Sequence, residues 1–320
     1  MPLETPIVLM LFNRPRLVEA VFAAIAKAQP RRLFVVADGP RFPEEAGICH
    51  EARSVIDRVD WNCEVVKNVV DQNLGCRQRV ASGLEWVFSQ VDEAIILEDD
   101  CLPDPSFFQF CDTLLGRYRH DERVMEIAGS NWQLGHSRTN DSYYFSKHSH
   151  TWGWATWKRA WDHYDEKLTM WPGLKGTKDW ARMWNDPREM EYWETILDRV
   201  YEGEIDTWDY QWQLAMWCRN GLSAVPNVNL VSNIGFGRDA THTTRARHPL
   251  AELPTHRLDD IRHPPAVIAH KEADTFFFEH FLWAKPWKRY IRTIRGKFLR
   301  MMRARKSNNK TVPTEKQEPL

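Results

Sequence analysis

The chain has no Cys-x-x-Cys pair: Cys49, Cys63, Cys76, Cys101, Cys111 and Cys218 are scattered along it. A disulfide framework or a zinc knuckle is therefore not expected, and the cysteines fit a reducing cytoplasm. No apolar run is long enough to span a bilayer. The opening stretch, MPLETPIVLMLFNRPR, has no basic lead, and Asn13 and Arg14 cut its apolar run short. It reads as neither a signal peptide nor a transmembrane helix. There is no GxxxxGK[ST] phosphate loop, no GxGxxG after the first apolar run and no GxSxG elbow, so P-loop and hydride-transfer mechanisms have no anchor. Internal repeats are absent as well.

What is present is an ordinary globular composition, 43% apolar and 27% charged over 320 residues, enough for one large α/β domain or two modest ones. The net charge of −1 hides an asymmetry. Residues 285–320 hold twelve Lys or Arg against Glu315 and Glu318, a balance of +10, which leaves −11 on the rest. An acidic body with a basic tail argues against a general nucleic-acid binder.

The first hundred residues alternate two patterns. Apolar runs at 6–12, 32–37, 63–69 and 93–100 read as buried strands; helical spacing over 16–29, 44–58 and 73–90 reads as the connections. Strand, helix, strand with short links predicts parallel pairing and a doubly wound, mostly parallel α/β sheet with helices on both faces. Ligands bind beyond the carboxyl ends of such strands. Asn13-Arg14, Asp38 and the triplet Glu98-Asp99-Asp100 all fall there.

An acidic triplet has three physical readings: a solvated turn, a general acid and base, or the seat of a hard divalent cation. The preceding Ala94-Ile95-Ile96-Leu97 fixes it at a strand end and favours the cation. From Trp132 to Trp217 the chain carries twelve of its sixteen tryptophans. These read either as core or as a wall on which sugar and base faces stack.

These residues carry a resemblance. LEDDCLPDPSFF, with FNRP, VVADGP and DQNLGCRQRV, resembles the GT-A-fold glycosyltransferases, and in particular the animal N-acetylglucosaminyltransferases that begin complex N-glycans. WGWATWKRAW, WDYQW and the late SNIGFG…ATH are similar to a bacterial family of nucleotide-diphospho-sugar transferases, and the likeness covers roughly residues 6–245. It implies a donor-binding half over 1–110 and a Trp-rich acceptor half over 111–270 of the same domain. A basic amphipathic tail over 271–306 and a disordered end over 307–320 would follow.

The resemblance implies that Asn13, Arg14 and Asp38 meet the base or ribose of the nucleotide, UDP being favoured. Asn73, Gly75 and Arg77 would carry the diphosphate at a helix start. Asp100, joined by His242, would ligate Mn2+ or Mg2+, while Glu98 and Asp99 contact the donor. Read without the resemblance, Asn13-Arg14 is a turn pair, Asp38 a turn acid before Gly-Pro, and Asn73-Gly75 a helix cap. The implied activity is hexosyl or N-acetylhexosaminyl transfer to a glycan or lipid-linked acceptor, inverting and metal-dependent, in cell-surface polysaccharide synthesis. In DTWDYQW, Asp209 is the candidate base and Asp206 its reserve, each flanked by rings able to desolvate it. Two alternatives stand beside this: a nucleotidyltransferase acting on a sugar phosphate, and a carbohydrate-binding module without catalysis. In the tail, Trp287, Tyr290, Ile291, Ile294, Phe298 and Met301 form an apolar stripe among basic residues. It is suited to the inner face of an anionic membrane, or to the acidic body.

Overall fold

The computed structural model describes residues 2–236 and 249–283. His242 and the basic tail beyond 283 lie outside the described residues. A boundary between two compact units falls after Phe276, and the first unit carries the sheet.

Its strands are β1 (Ile7–Leu11), β2 (Arg32–Ala37), β3 (Glu64–Val69), β4 (Glu93–Glu98), β5 (Cys101–Pro103), β6 (Val124–Ala128), β7 (Tyr143–Ser146), β8 (Trp154–Trp157), β9 (Leu222–Pro226) and β10 (Val231–Asn233). Its helices are α1 (Pro15–Ala28), α2 (Ala46–Ser54), α3 (Cys76–Phe88), α4 (Pro105–Tyr118), α5 (Lys158–Trp161), α6 (Trp171–Leu174), α7 (Lys178–Arg182), α8 (Pro187–Tyr201) and α9 (Asp209–Cys218), with α10 (Lys271–Phe277) at the boundary. Among the described residues, eight strands make one sheet, ordered β3-β2-β1-β4-β8-β6-β9-β7. The first four are parallel, as the alternating pattern predicts. β8 then enters antiparallel between β4 and β6, and β7 closes the far edge antiparallel to β9. The result is a mostly parallel, Rossmann-like α/β sheet flanked by helices.

Side chains of a strand alternate faces, and here both faces are buried. Ile7, Leu9, Leu33, Val35, Ile95 and Leu97 join one core with Val18 and Val21 of α1 and Phe107 and Leu114 of α4. Val8, Met10, Phe34, Val36 and Ile96 join the other with Leu84 of α3 and Trp212 and Met216 of α9. That is why IVLML carries no polar residue at all. Proline starts α1 at its first turn, where a missing N–H costs nothing. Asp104 caps α4 by accepting from the Ser106 N–H, and Asp186 caps α8 from the Arg188 N–H.

The tryptophans are mainly core. Trp154, Trp157, Trp171, Trp180 and Trp212 are sealed from solvent. Trp208 stacks on Trp154 at 5.5 Å and 22°, and Tyr164 on Trp161 at 4.2 Å and 10°. Rings packed on this side cannot also offer a sugar platform, so the wall reading fails for them. One buried acid ties this region to the sheet. Glu126 of β6, fully buried, accepts from the Trp212 Nε1–H of α9 (2.8 Å), from Ser223 Oγ of β9 (2.7 Å) and from the His150 N–H (2.7 Å). Helix α9 is thereby clamped to the sheet, which fixes the place of its first residue, Asp209.

Candidate active site

The strand register sets Ala37 opposite Leu11 and Glu98 opposite Met10. The loops after β1, β2 and β4 therefore leave the sheet at one level. The order β3-β2-β1-β4 reverses between β1 and β4, the switch point at which such sheets open a crevice. Arg14 and the acids meet there. Arg14 donates from Nε to Asp99 Oδ2 (3.3 Å) and from NH1 to Asp100 Oδ2 (2.9 Å), and its NH2 also reaches Asp99 Oδ1. The Phe12 N–H also favours the Asp99 carboxylate. The guanidinium caps the acid pair.

One guanidinium faces three carboxylates. Burial, followed by the charges of Asp100 and Asp99, pushes the Glu98 carboxyl up to about 8, and Asp209 adds to the repulsion. Burial lifts Asp99 to about 6, although Arg14 opposes the shift. The acids are locked from behind. β10 pairs antiparallel with β5, the Ile234 N–H donates to the Asp100 carbonyl (2.8 Å), and the Gly235 N–H donates to Asn233 Oδ1 (2.9 Å). A Cβ at Gly235 would lie 2.2 Å from Asp100 Oδ2 and 2.6 Å from its Cβ. Only glycine fits against this acid, a constraint that SNIGFG shows as a motif but whose reason the sequence does not show.

Asn13, Asp38 and Asn73 are drawn into the protein's own bonding. Asn13 donates to Glu45 Oε1 (3.1 Å). Asp38 accepts from the N–H groups of Gly39 (2.8 Å) and Leu74 (2.9 Å) and from Asn73 Nδ2 (2.9 Å). Asp38 thus brackets the loop after β2 to the loop that starts α3. Gly75 caps that helix with φ of +79°, and a Cβ on it would lie 3.2 Å from Asp206 Oδ2. Arg77 Nε lies 3.7 Å from Asp206 Oδ1 and 3.8 Å from Glu166 Oε1. Nothing in the sequence pointed to Glu166, whose turn lies far from α3 in the chain.

The two candidate bases separate by position. Asp206 is exposed and lies beside Arg77. Asp209 is the first residue of α9, half-buried, with Oδ1 accepting from the Tyr210 N–H (3.1 Å) and from Thr207 Oγ1. Cys76 records the convergence: burial pushes its thiol up, and Glu98, Asp209, Asp206 and Asp38 add to the rise in that order. Acids from both halves of the chain thus face the first turn of α3.

Two observations bear on a cation here. The acid pair already holds a stand-in positive charge, Arg14, and the Gly235 backbone packs so closely on Asp100 that the carboxylate is held in place. Hard carboxylate oxygens suit Mg2+ or Mn2+, which one or two carboxylates hold together with substrate phosphates. Among the described residues no three His, Cys, Asp or Glu side chains gather into a set able to hold a metal. The donor set fits a cation shared with a phosphate ligand and does not fit a closed protein cage.

No family model matches this chain, and no curated protein does. Solved structures with a similar fold include UTP-bound UGPase from Acinetobacter baumannii, 9% identical, TM-score 0.35, covering 72% of this chain and 88% of that one. A UDP-glucose pyrophosphorylase complexed with UDP-glucose is 10% identical, TM-score 0.33, covering 69% and 90%. The inositol-1-phosphate CTP transferase from T. maritima is 11% identical, TM-score 0.36, covering 70% and 85%. None of these three is a glycosyltransferase, and likenesses of this size carry no argument about chemistry.

Proposed function

We propose that the chain is a glycosyltransferase of the GT-A type, moving a sugar from a nucleotide-diphosphate donor, UDP by resemblance, to a glycan or lipid-linked hydroxyl. The observation that supports this is the gathering of Glu98, Asp99 and Asp100 under Arg14 at the switch point, with Asp209, from the second half of the chain, adding its charge to theirs. Sugar transfer with inversion needs both features: negative groups to seat a cation-bound diphosphate, and a separate carboxylate to take the acceptor's proton. Asp100, with Asp99 and the donor phosphates, would hold a divalent cation, which would supply charge neutralisation to the departing diphosphate. The start of α3, with Gly75 and Arg77, offers backbone N–H groups and a cation to the same phosphates. Asp209, steadied by Thr207 and the Tyr210 N–H, accepts the proton of the acceptor hydroxyl.

Asp209→Asn is expected to lower transfer by about 10²-fold or more, the scale of losing a general base. UDP affinity should be kept, and the product anomer should be inverted. Asp206→Asn should do much less, because that side chain is exposed. Equal damage from both variants, or a retained anomeric configuration, would remove Asp209 from the role.

A second reading is nucleotidyl transfer to a sugar phosphate. It usually needs a glycine-rich basic loop after the first strand. Here β1 runs through Phe12-Asn13-Arg14 straight into Pro15 of α1 without a glycine, and the one basic side chain is turned onto the acids.

A further inference from the structure

We propose that Arg14 is an exchangeable counter-ion: a divalent cation displaces its guanidinium from Asp99 and Asp100, and the freed guanidinium passes to the diphosphate of the donor. The inference rests on the glycosyltransferase reading and adds a role for this residue within it. Its ground is the geometry of the acid pair. Asp99 and Asp100 lie nearly sealed, with side chains 3% and 10% exposed, whereas Arg14 above them is 20% exposed and is the solvent-side member of the cluster. The guanidinium claims one oxygen of Asp100 and both of Asp99, the oxygens a cation needs.

The backbone of Arg14 is meanwhile anchored independently. Its carbonyl accepts from the Leu17 and Val18 N–H groups, each at 3.0 Å, as the opening of α1. The side chain is therefore free to turn without disturbing the helix. Guanidinium and cation cannot share the pair, since both are positive and both need the same oxygens. A freed guanidinium at the mouth of a crevice is well suited to two phosphate oxygens, which it binds as a planar fork.

The consequence is a coupling of fixed sign. Cation alone must break the Arg14 contacts and leaves a buried-edge guanidinium without an anion. Nucleotide alone finds Arg14 already engaged. Together each ligand removes the other's obstacle, so each raises the other's affinity by the same factor. Direct contact between cation and donor phosphates couples the two ligands as well, and the share that Arg14 adds is the part its variants remove.

The test uses the full chain and Mn2+, with bound metal read from the loss of the free-ion electron paramagnetic resonance signal, with and without UDP. Wild-type protein is expected to bind Mn2+ weakly alone and at least about tenfold more tightly with saturating UDP. Arg14→Gln is expected to bind Mn2+ alone about tenfold more tightly than wild type, to bind UDP less well, and to keep only the coupling that direct cation–phosphate contact supplies. Arg14→Lys, which keeps the charge without the fork, should fall between them and serves if the Gln variant does not fold. Unchanged or weaker Mn2+ binding in the folded variants would overturn the exchange while leaving the donor site standing. Wild-type protein that takes up no Mn2+ even with UDP would overturn both.

Discussion

Asp100→Asn is expected to abolish cation-dependent sugar transfer, by about 10³-fold or more, while leaving the fold as stable as before or slightly more so. The loss follows from the role of a metal in stabilising developing charge, worth several kcal/mol in the transition state. The stability follows from the site's electrostatics. Three carboxylates share one guanidinium, and burial with the neighbouring acid charges holds Glu98 far above its usual range. Removing one negative charge relieves that repulsion. The amide oxygen can still accept from Arg14, and the backbone carbonyl keeps its bond from the Ile234 N–H. Thermal unfolding and a transfer assay on the same preparation check both halves. A clear fall in melting temperature would make the acid structural, and full activity in EDTA would remove the cation from the account.

Gly235→Ala should damage the same site from behind. The added Cβ would sit 2.2 Å from Asp100 Oδ2, 2.6 Å from its Cβ and 2.8 Å from its Cγ. Because the Asp100 Cβ itself is in the way, a rotation of the carboxylate does not clear the clash, and the paired strands β5 and β10 must shift. Overpacking of this kind costs about 1–3 kcal/mol, and the displaced carboxylate should weaken Mn2+ binding with UDP by about tenfold, the equivalent of 1.4 kcal/mol. Gly47→Ala in α2 is the control: nothing lies within 4 Å of its added Cβ. It should be neutral or stabilising by up to about 1 kcal/mol, the helix preference of alanine over glycine. If Gly235→Ala behaves like the control, the cradle around Asp100 is looser than the geometry indicates.

Much of the first half of the sheet was legible because parallel strands announce themselves. Its strands are buried on both faces, so IVLML, LFVVA and AIIL stand out as apolar runs, and their ends give the level at which ligands bind. The antiparallel entry of β8 beside β4 was not legible, since WATW is short and apolar whichever neighbour it takes. Nor was the partner of Arg14. A basic residue at a strand end serves a nucleotide or an acid equally well, and Asp99 lies 85 residues away. Asp206 and Asp209 look equivalent in DTWDYQW. What separates them is the start of α9 at Asp209, and the Trp212–Glu126 bond that pins that helix, a contact spanning 86 residues. Glu126 itself stands in VMEIA, where an acid between apolar neighbours reads as a solvent-facing position. Only the arrival of three donors makes its burial tolerable. The tryptophans illustrate the same limit: spacing cannot say whether a second ring will cover the first.

The central claim is tested most directly by the products formed from a panel of nucleotide sugars. The chain would be incubated with each sugar, Mn2+ and pyrophosphate, and the nucleotides and sugars resolved by chromatography. Sugar transfer, with water as a slow acceptor, predicts a nucleoside diphosphate and free sugar, both dependent on the cation and lost in Asp100→Asn. A nucleoside triphosphate together with a sugar 1-phosphate would contradict it, because those products require attack at phosphorus and not at the anomeric carbon.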